Sequence, residues 1–193
     1  MAAEILTSDL ITAYKNKQRV RTMNSAGSVI CTTALDNNEF INKDNGSVLH
    51  VALIPVSAVI HSINVVFSDE IQASKGIVQI GFYGIHKHSG DFVLIKKDVV
   101  DDASFASLDA ETYMNIWPRT LLGKTVYEML CTGNPFKPIE AFEQFKDCEN
   151  VVLTLTLKTQ NDTSTPTECA IQVMYTPGAP STTSLTKLVL DKE

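Results

Sequence analysis

The stretch SVLHVALIPVSAVIHSINVVFSDE, residues 47–70, constrains the fold of this chain more than any other feature. In its first run Leu49, Val51 and Leu53 fall on one side and Val48, His50, Ala52 and Ile54 on the other. In its second, Val59, His61, Ile63, Val65 and Phe67 oppose Ile60, Ser62, Asn64 and Val66. Successive side chains of a strand point to opposite faces, so period-two alternation rich in β-branched residues reads as strand. Pro55 has no N–H to give a ladder, and PVSA reads as a turn, which predicts that the two runs pair as a hairpin. His50 and His61 are then sheet residues, lacking the third ligand that a metal site needs.

The same pattern recurs along the chain. Val29 to Thr33 suggests a strand, and residues 36–46 a polar loop. Val78, Ile80 and Phe82 share a face in GIVQIGFYG, where Gly81 signals a bulge or a close backbone approach. Phe92 to Ile95 reads as a shorter strand. Beyond Asp98 the alternation stops: Ser104 and Asp109 are helix starters, Leu122, Val126, Met129 and Leu130 recur at helical spacing, and Gly133 caps them. PIEAFEQF adds a further short helix. Val151, Leu153, Leu155 and Leu157 alternate with Val152, Thr154, Thr156 and Lys158, and Cys169, Ile171, Val173 and Tyr175 form another inward set. Seven or eight strands with one helical interruption predict a mainly β chain, an antiparallel, jelly-roll-like β-sandwich with a small helical insertion and an extended N-terminal arm. The expected division is an N-terminal arm over 1–27, a sandwich domain over 28–176 with its insertion at about 103–146, and a C-terminal tail or edge strand over 177–193.

A chain of 193 residues can bury a core without staples. No apolar run approaches the roughly 20 residues that span a bilayer. The start, MAAEILTSDLITAYKNKQ, has acids where an export signal has bases, so export is not expected. Cys31, Cys131, Cys148 and Cys169 show no C-x-x-C pair, which argues against zinc and predicts free, mostly buried thiols. The sequons at Asn45 and Asn161 carry little meaning without a secretory route.

The net charge of −6 hides an asymmetry: residues 1–35 hold four bases and two acids, residues 36–193 twelve bases and twenty acids. The bases Lys15, Lys17, Arg19 and Arg21 are suited to phosphates or an acidic protein face, while the acidic body argues against specific nucleic-acid binding. His86-Lys87-His88 lies in an expected turn and lacks a placed third ligand. Asp98, Asp101 and Asp102 lack the spacing and central glycine of an EF-hand. No hydrolase, metalloprotease, Walker or dinucleotide fingerprint is present. Trp117, Tyr113 and Tyr127 read as core or subunit contacts before they read as a sugar platform.

SVLHVALIPVSAVIHSINVVFSDE, GIVQIGFYG and SGDFVLIKKDVVDDASFASLDA together resemble a recurrent pattern in tailed-bacteriophage virion proteins. Ile54-Pro55, Ile80-Gly81-Phe82-Tyr83 and Asp102 to Leu108 match it in order and spacing, over about a third of the chain. The resemblance implies a non-enzymatic β-sandwich component of a phage particle, with no catalytic residues and no cofactor to carry over. It leads to the expectation of a homo-oligomeric head decoration, cement or minor capsid protein, assembled into the virion in the host cytoplasm. Its partners would be the major capsid protein or other virion proteins, met through Lys15, Lys17, Arg19, Arg21, Tyr113 and Trp117, with no membrane and no specific nucleic acid. An alternative is a carbohydrate- or receptor-binding module of a spike, neck or tail, with Trp117, Tyr113 and Tyr83 on one platform. A third is a hydrolase using His86 and His88.

Overall fold

The computed structural model describes residues 3–18, 23–25, 29–36, 39–72, 74–86, 89–131, 150–161 and 167–177. In chain order the strands and helices are β1 (Ile5–Thr7), α1 (Asp9–Lys15), β2 (Met23–Ser25), β3 (Val29–Asp36), β4 (Val48–Pro55), β5 (Val59–Phe67), β6 (Ile77–Ile85), β7 (Phe92–Ser104), β8 (Met114–Asn115), α2 (Val126–Cys131), β9 (Asn150–Thr159) and β10 (Cys169–Thr176). Short 3-10 turns sit at Phe40–Asn42 and Arg119–Leu121. The strands form two five-stranded sheets, ordered β1-β4-β9-β6-β7 and β2-β3-β10-β5-β8. Every pairing is antiparallel except β1 with β4. This is the expected β-sandwich, and its inner faces supply the core. Leu49, Ile54, Ile80, Phe82, Val151 and Leu153 of the first sheet are buried, as are Ala34, Ile63, Val65, Ile171 and Val173 of the second.

The expected hairpin is absent. β4 and β5 lie in different sheets, and residues 55–58 carry the chain across the end of the sandwich. Ala58 N–H donates to the Pro55 carbonyl at 2.9 Å, which makes the turn, but Val56 and Ala58 are buried. The carbonyls of Val56 and Ala58 accept from Tyr127 N and Val126 N, so the first turn of α2 caps this corner. Alternation specifies which face each residue takes but not which strand lies alongside. A turn with two buried apolar residues serves a corner better than a solvated hairpin tip.

Two β-bulges break the alternation next to the histidines; His50 keeps the face opposite Leu49 and Val51, and His61 does not keep the apolar face expected for it. The β4–β9 register shifts between His50 and Ala52, so Ala52 and Ile54 join the core on the far side of the extra residue. The β5–β10 register shifts opposite His61, so Ile60 and Ile63 are both buried while His61 is exposed. One inserted residue is enough to move the remainder of a strand to the other face.

β7 is longer than the run Phe92 to Ile95 foretold, because it continues through the charged residues Lys96, Lys97, Asp98, Asp101 and Asp102 to Ser104. It is the outer strand of its sheet, and three register shifts separate it from β6. Charges and bulges are how natural edge strands avoid pairing with other chains. They also erase the alternation that would reveal the strand. At Gly81 an added Cβ would lie 2.5 Å from the Lys96 carbonyl oxygen, the close backbone approach expected there.

The helical insertion expected at about 103–146 is much reduced within the described residues. Loops, β8 and one 3-10 turn occupy 105–125, and α2 spans only Val126–Cys131. PIEAFEQF and the expected tail from 178 onward lie outside the described residues.

Residues 3–18 do not extend from the body as an arm. β1 adds to β4 in parallel, with Ile5, Leu6 and Thr7 opposite Val48, Leu49 and His50. Ser8 then starts α1, its side chain accepting from Ile11 N at 3.4 Å while its Oγ donates to the Val51 carbonyl at 2.5 Å. Ile11 is fully buried, and Asp9 Oδ1 accepts from Leu35 N at 2.7 Å. A short amphipathic stretch orders only by docking. Here it docks on its own sandwich.

Candidate interaction surfaces

The outer face of the first sheet carries a small second core beneath this N-terminal segment. Val48 and His50 on β4 stand across from Thr156 and Thr154 on β9, and Val48, His50, Val152 and Thr154 are all buried. The His50 ring lies 5.0 Å from both the Tyr83 and Phe92 rings, and Lys15 Nζ sits 4.9 Å from the Phe92 ring centroid. Both ring nitrogens of His50 and the Thr154 hydroxyl have no hydrogen-bond partner among the described residues. Burial first, and the Lys15 charge second, push His50 down to about 4, so the ring is neutral at ordinary pH. The same burial raises the Tyr83 hydroxyl. A neutral imidazole wedged between two aromatic rings packs; neither ring nitrogen has a hydrogen-bond partner among the described residues through which to move a proton.

The residues singled out in the sequence are dispersed. Lys15 ends α1 and is committed to Phe92, Lys17 is exposed just beyond it, and Arg19 and Arg21 lie outside the described residues. Trp117 is buried in the main core with its Nε1 unpartnered among the described residues. Tyr113 is 70% exposed on the loop before β8. Tyr83 stands on the first sheet, while β8 next to Tyr113 belongs to the second, so the three aromatics make no common platform. His61 Nε2 and Thr176 Oγ1 are 2.6 Å apart on the outer side of the second sheet.

His86 belongs to a turn in which its Nδ1 accepts from Ser89 N at 3.3 Å and its N–H donates to the Asp91 carbonyl; His88 lies outside the described residues. Asp101 and Asp102 are occupied by the sheet itself. Gln79 Nε2 reaches Asp101 Oδ1 at 2.6 Å, and Lys158 Nζ lies 3.3 Å from Asp101 and 2.5 Å from Asp102. The Gln79 bond, then that of Lys158, holds the Asp101 carboxyl below its ordinary range. Among the described residues no three His, Cys, Asp or Glu side chains gather into a metal-holding group. Nor is any described helix long and apolar enough to cross a membrane.

Cys31 and Cys169 are free thiols, half-buried and buried respectively. Burial, with Asp36 behind it, raises Cys169 well above the ordinary thiol value. Asn161 of the second sequon is fully buried: its Oδ1 accepts from Gln72 N at 3.1 Å and its Nδ2 donates to the Glu70 carbonyl at 3.4 Å.

Sequence reasoning missed Ser8 and the His50 pocket. Ser8-Asp9 ahead of an amphipathic run is a helix-start signal that would have located α1. Nothing in the sequence placed Tyr83 and Phe92 against His50, because that contact crosses the sheet.

No family model matches the chain, and no curated protein matches it. Among solved structures, the chain is similar to one in the capsid of Ralstonia phage GP4, with a TM-score of 0.57 and 9% identity over 91% of this chain and 99% of that one. It is also matched to the Cyanophage Pam1 capsid asymmetric unit, with a TM-score of 0.41 and 11% identity over 83% of this chain and 94% of that one. A third match is the acidic stable capsid of Helicobacter pylori bacteriophage KHP30, with a TM-score of 0.36 and 14% identity over 82% and 95%. At 9% identity the first likeness is one of fold, and it extends over 91% of this chain and 99% of the GP4 chain.

Proposed function

We propose that the chain is a non-enzymatic structural protein of a tailed-phage virion, a decoration, cement or minor head protein that binds the capsid shell. The observation that carries this reading is the end-to-end match to the GP4 capsid chain, which covers 99% of that chain and so is not a likeness to one module of a larger protein. The strand order adds support. Without the short β1 and β2, the sheets read β4-β9-β6-β7 and β3-β10-β5-β8, an order that supports reading the sandwich as a jelly roll. Viral capsid domains and lectins both use this winding, so topology alone does not choose between shell and sugar. The dispersal of Tyr83, Tyr113 and Trp117 weighs against sugar.

The docking of residues 3–18 changes how attachment works. Lys15, though exposed, lies over the chain's own Phe92 ring, and Trp117 is withdrawn into the core. Lys17 and Tyr113, both exposed, are left for a shell partner, together with Arg19 and Arg21, which lie outside the described residues. Attachment through such bases weakens as salt screens them. The test is mass spectrometry of purified particles from the phage that encodes the chain, followed by co-sedimentation with particles lacking it. The chain should be present in fixed proportion to the other virion proteins, and Lys17→Glu with Arg19→Glu and Arg21→Glu should abolish a salt-sensitive co-sedimentation. Absence from the particles overturns the virion reading; undiminished binding by the triple variant overturns the basic contact alone.

A further inference from the structure

Charged residues are distributed unevenly between the two sheets. The first sheet carries Lys96, Lys97, Asp98, Asp101, Asp102 and Lys158 on β7 and β9. Across β2, β3, β10, β5 and β8 the sole Asp, Glu, Lys or Arg is Asp36, which is buried at 1% exposure. The strands of the second sheet therefore bring no charge to its outer face, in a chain of which 20% is charged; the Asp9 carboxylate, on Leu35 N, lies beside β3. Solvent-facing surfaces are normally about a quarter to a third charged. Depletion of charge marks the centre of protein–protein interfaces.

The face has an internal order. Thr33, Gln172 and Asn64 form its middle row, and β10, which carries Gln172, is the middle strand of the sheet. On one side of that row stand Leu35, Ala170 and Val66; on the other, Cys31, Met174 and Ser62. All are half-buried or exposed, Leu35 at 45%. Asn64 Nδ2 donates to Gln172 Oε1 at 3.3 Å and to Ser62 Oγ at 3.4 Å. The Gln172 amide nitrogen and the Asn64 carbonyl oxygen then have no partner among the described residues, one a donor and the other an acceptor.

We infer that this face is the contact between two copies of the chain, packed sheet on sheet about a two-fold axis that lies in the interface and passes by Gln172. Electrostatics selects the occupant. Each copy has a net charge of −6, so two copies repel one another least where neither brings charge to the contact, and this face is such a place. The middle row meets itself under either in-plane axis, bringing the Gln172 donor of each copy to the Asn64 acceptor of the partner copy, twice. The apolar rows cover one another on either side. At about 4.8 Å between strands and 3.3 Å per residue, β3, β10 and β5, of eight, eight and nine residues, span roughly 14 by 27 Å, with the three-residue β2 and two-residue β8 as margins. That footprint is about half of what a standard interface covers on each partner, so loops at its rim have to complete the contact. The inference is independent of the virion reading, since it rests on this face alone.

Sedimentation equilibrium of the full chain at tens of micromolar tests it. The expected mass is twice 21.2 kDa, and Gln172→Glu, which sets like charges against each other, should weaken the dimer at least about tenfold. In a Cys31→Ser background, Gln172→Cys should form a disulfide-linked dimer on mild oxidation, whereas Tyr113→Cys should not; this arm remains decisive if Gln172→Glu fails to fold. A mass of 21.2 kDa for the wild type, a dimer indifferent to Gln172→Glu, or equal cross-linking at Tyr113 each overturns the inference. A monomer whose capture by phage particles is lost on Gln172→Glu also overturns it, by giving the face to a shell protein.

Discussion

His50 shows what one residue costs when the fold surrounds it with rings. The unfolded chain binds a proton at this imidazole near pH 6.5 and the folded chain only near 4. Between those values the unfolded state holds more protons, so stability falls as pH falls. Its contribution is intact above pH 6.5 and the loss is complete below pH 4, at about 3 kcal/mol from 1.36 kcal/mol per pKa unit. Urea midpoints at pH 7 and pH 4.5 should therefore separate wild type from His50→Phe. The wild type should lose about 2 to 3 kcal/mol more over that interval, because every other titrating group is common to both chains. Equal losses would show that His50 protonates freely in the native state. The residue was legible as a sheet histidine on the face opposite Leu49 and Val51 and no further; a bulge upset the face assigned to His61, and another moved Ala52 and Ile54 just beyond His50. A bulge leaves no mark in a run of apolar residues, since the extra residue is as apolar as its neighbours. At Gly81 it did leave a mark, because the Lys96 backbone lies where a Cβ would be.

At the scale of elements, legibility followed burial. β9 and β10 alternate cleanly, with one set buried and the other facing outward or toward α1, and both were read from sequence. β7 was half lost because an edge strand needs charge more than it needs apolar residues. The N-terminal segment was read as an arm because its composition is polar and its apolar stretch short. Ser8 changes that reading: it caps α1, donates its hydroxyl to Val51 and its N–H to the His50 carbonyl at 3.0 Å. Ser8→Ala should cost about 1 to 2 kcal/mol, the usual loss of a cap with a further hydrogen bond. Deleting residues 1–17 should lower the thermal midpoint well beyond that, since it uncovers the edge of β4 and the apolar surface against which Ile11 is buried. Calorimetry of the three chains decides the matter. A deletion that leaves the midpoint unchanged would restore the detachable arm.

The whole molecule is closed by its last strands. β10 is the middle strand of the second sheet, pairing β3 across 133 to 145 positions and β5 on its other side. β9 likewise joins β4 to β6 in the middle of the first sheet. Between them they hold together strands that otherwise have no common neighbour, so the sandwich cannot assemble until the chain through Thr176 is present. Loop closure over such separations must come before the contacts that reward it, which places folding in the range of milliseconds to seconds or slower. Trp117 is the single tryptophan and is buried in the main core, so its emission reports closure directly. A chain ending at residue 161 should leave Trp117 solvated, with emission at the wavelength of the unfolded protein, and one ending at residue 177 should shift it to the blue. Restoring the β10 segment in trans as a peptide should recover the shift only slowly, because the peptide must enter between β3 and β5 as the middle strand. A blue-shifted Trp117 in the shorter chain would mean that the core closes without its central strand, and that the two sheets are held by their loops.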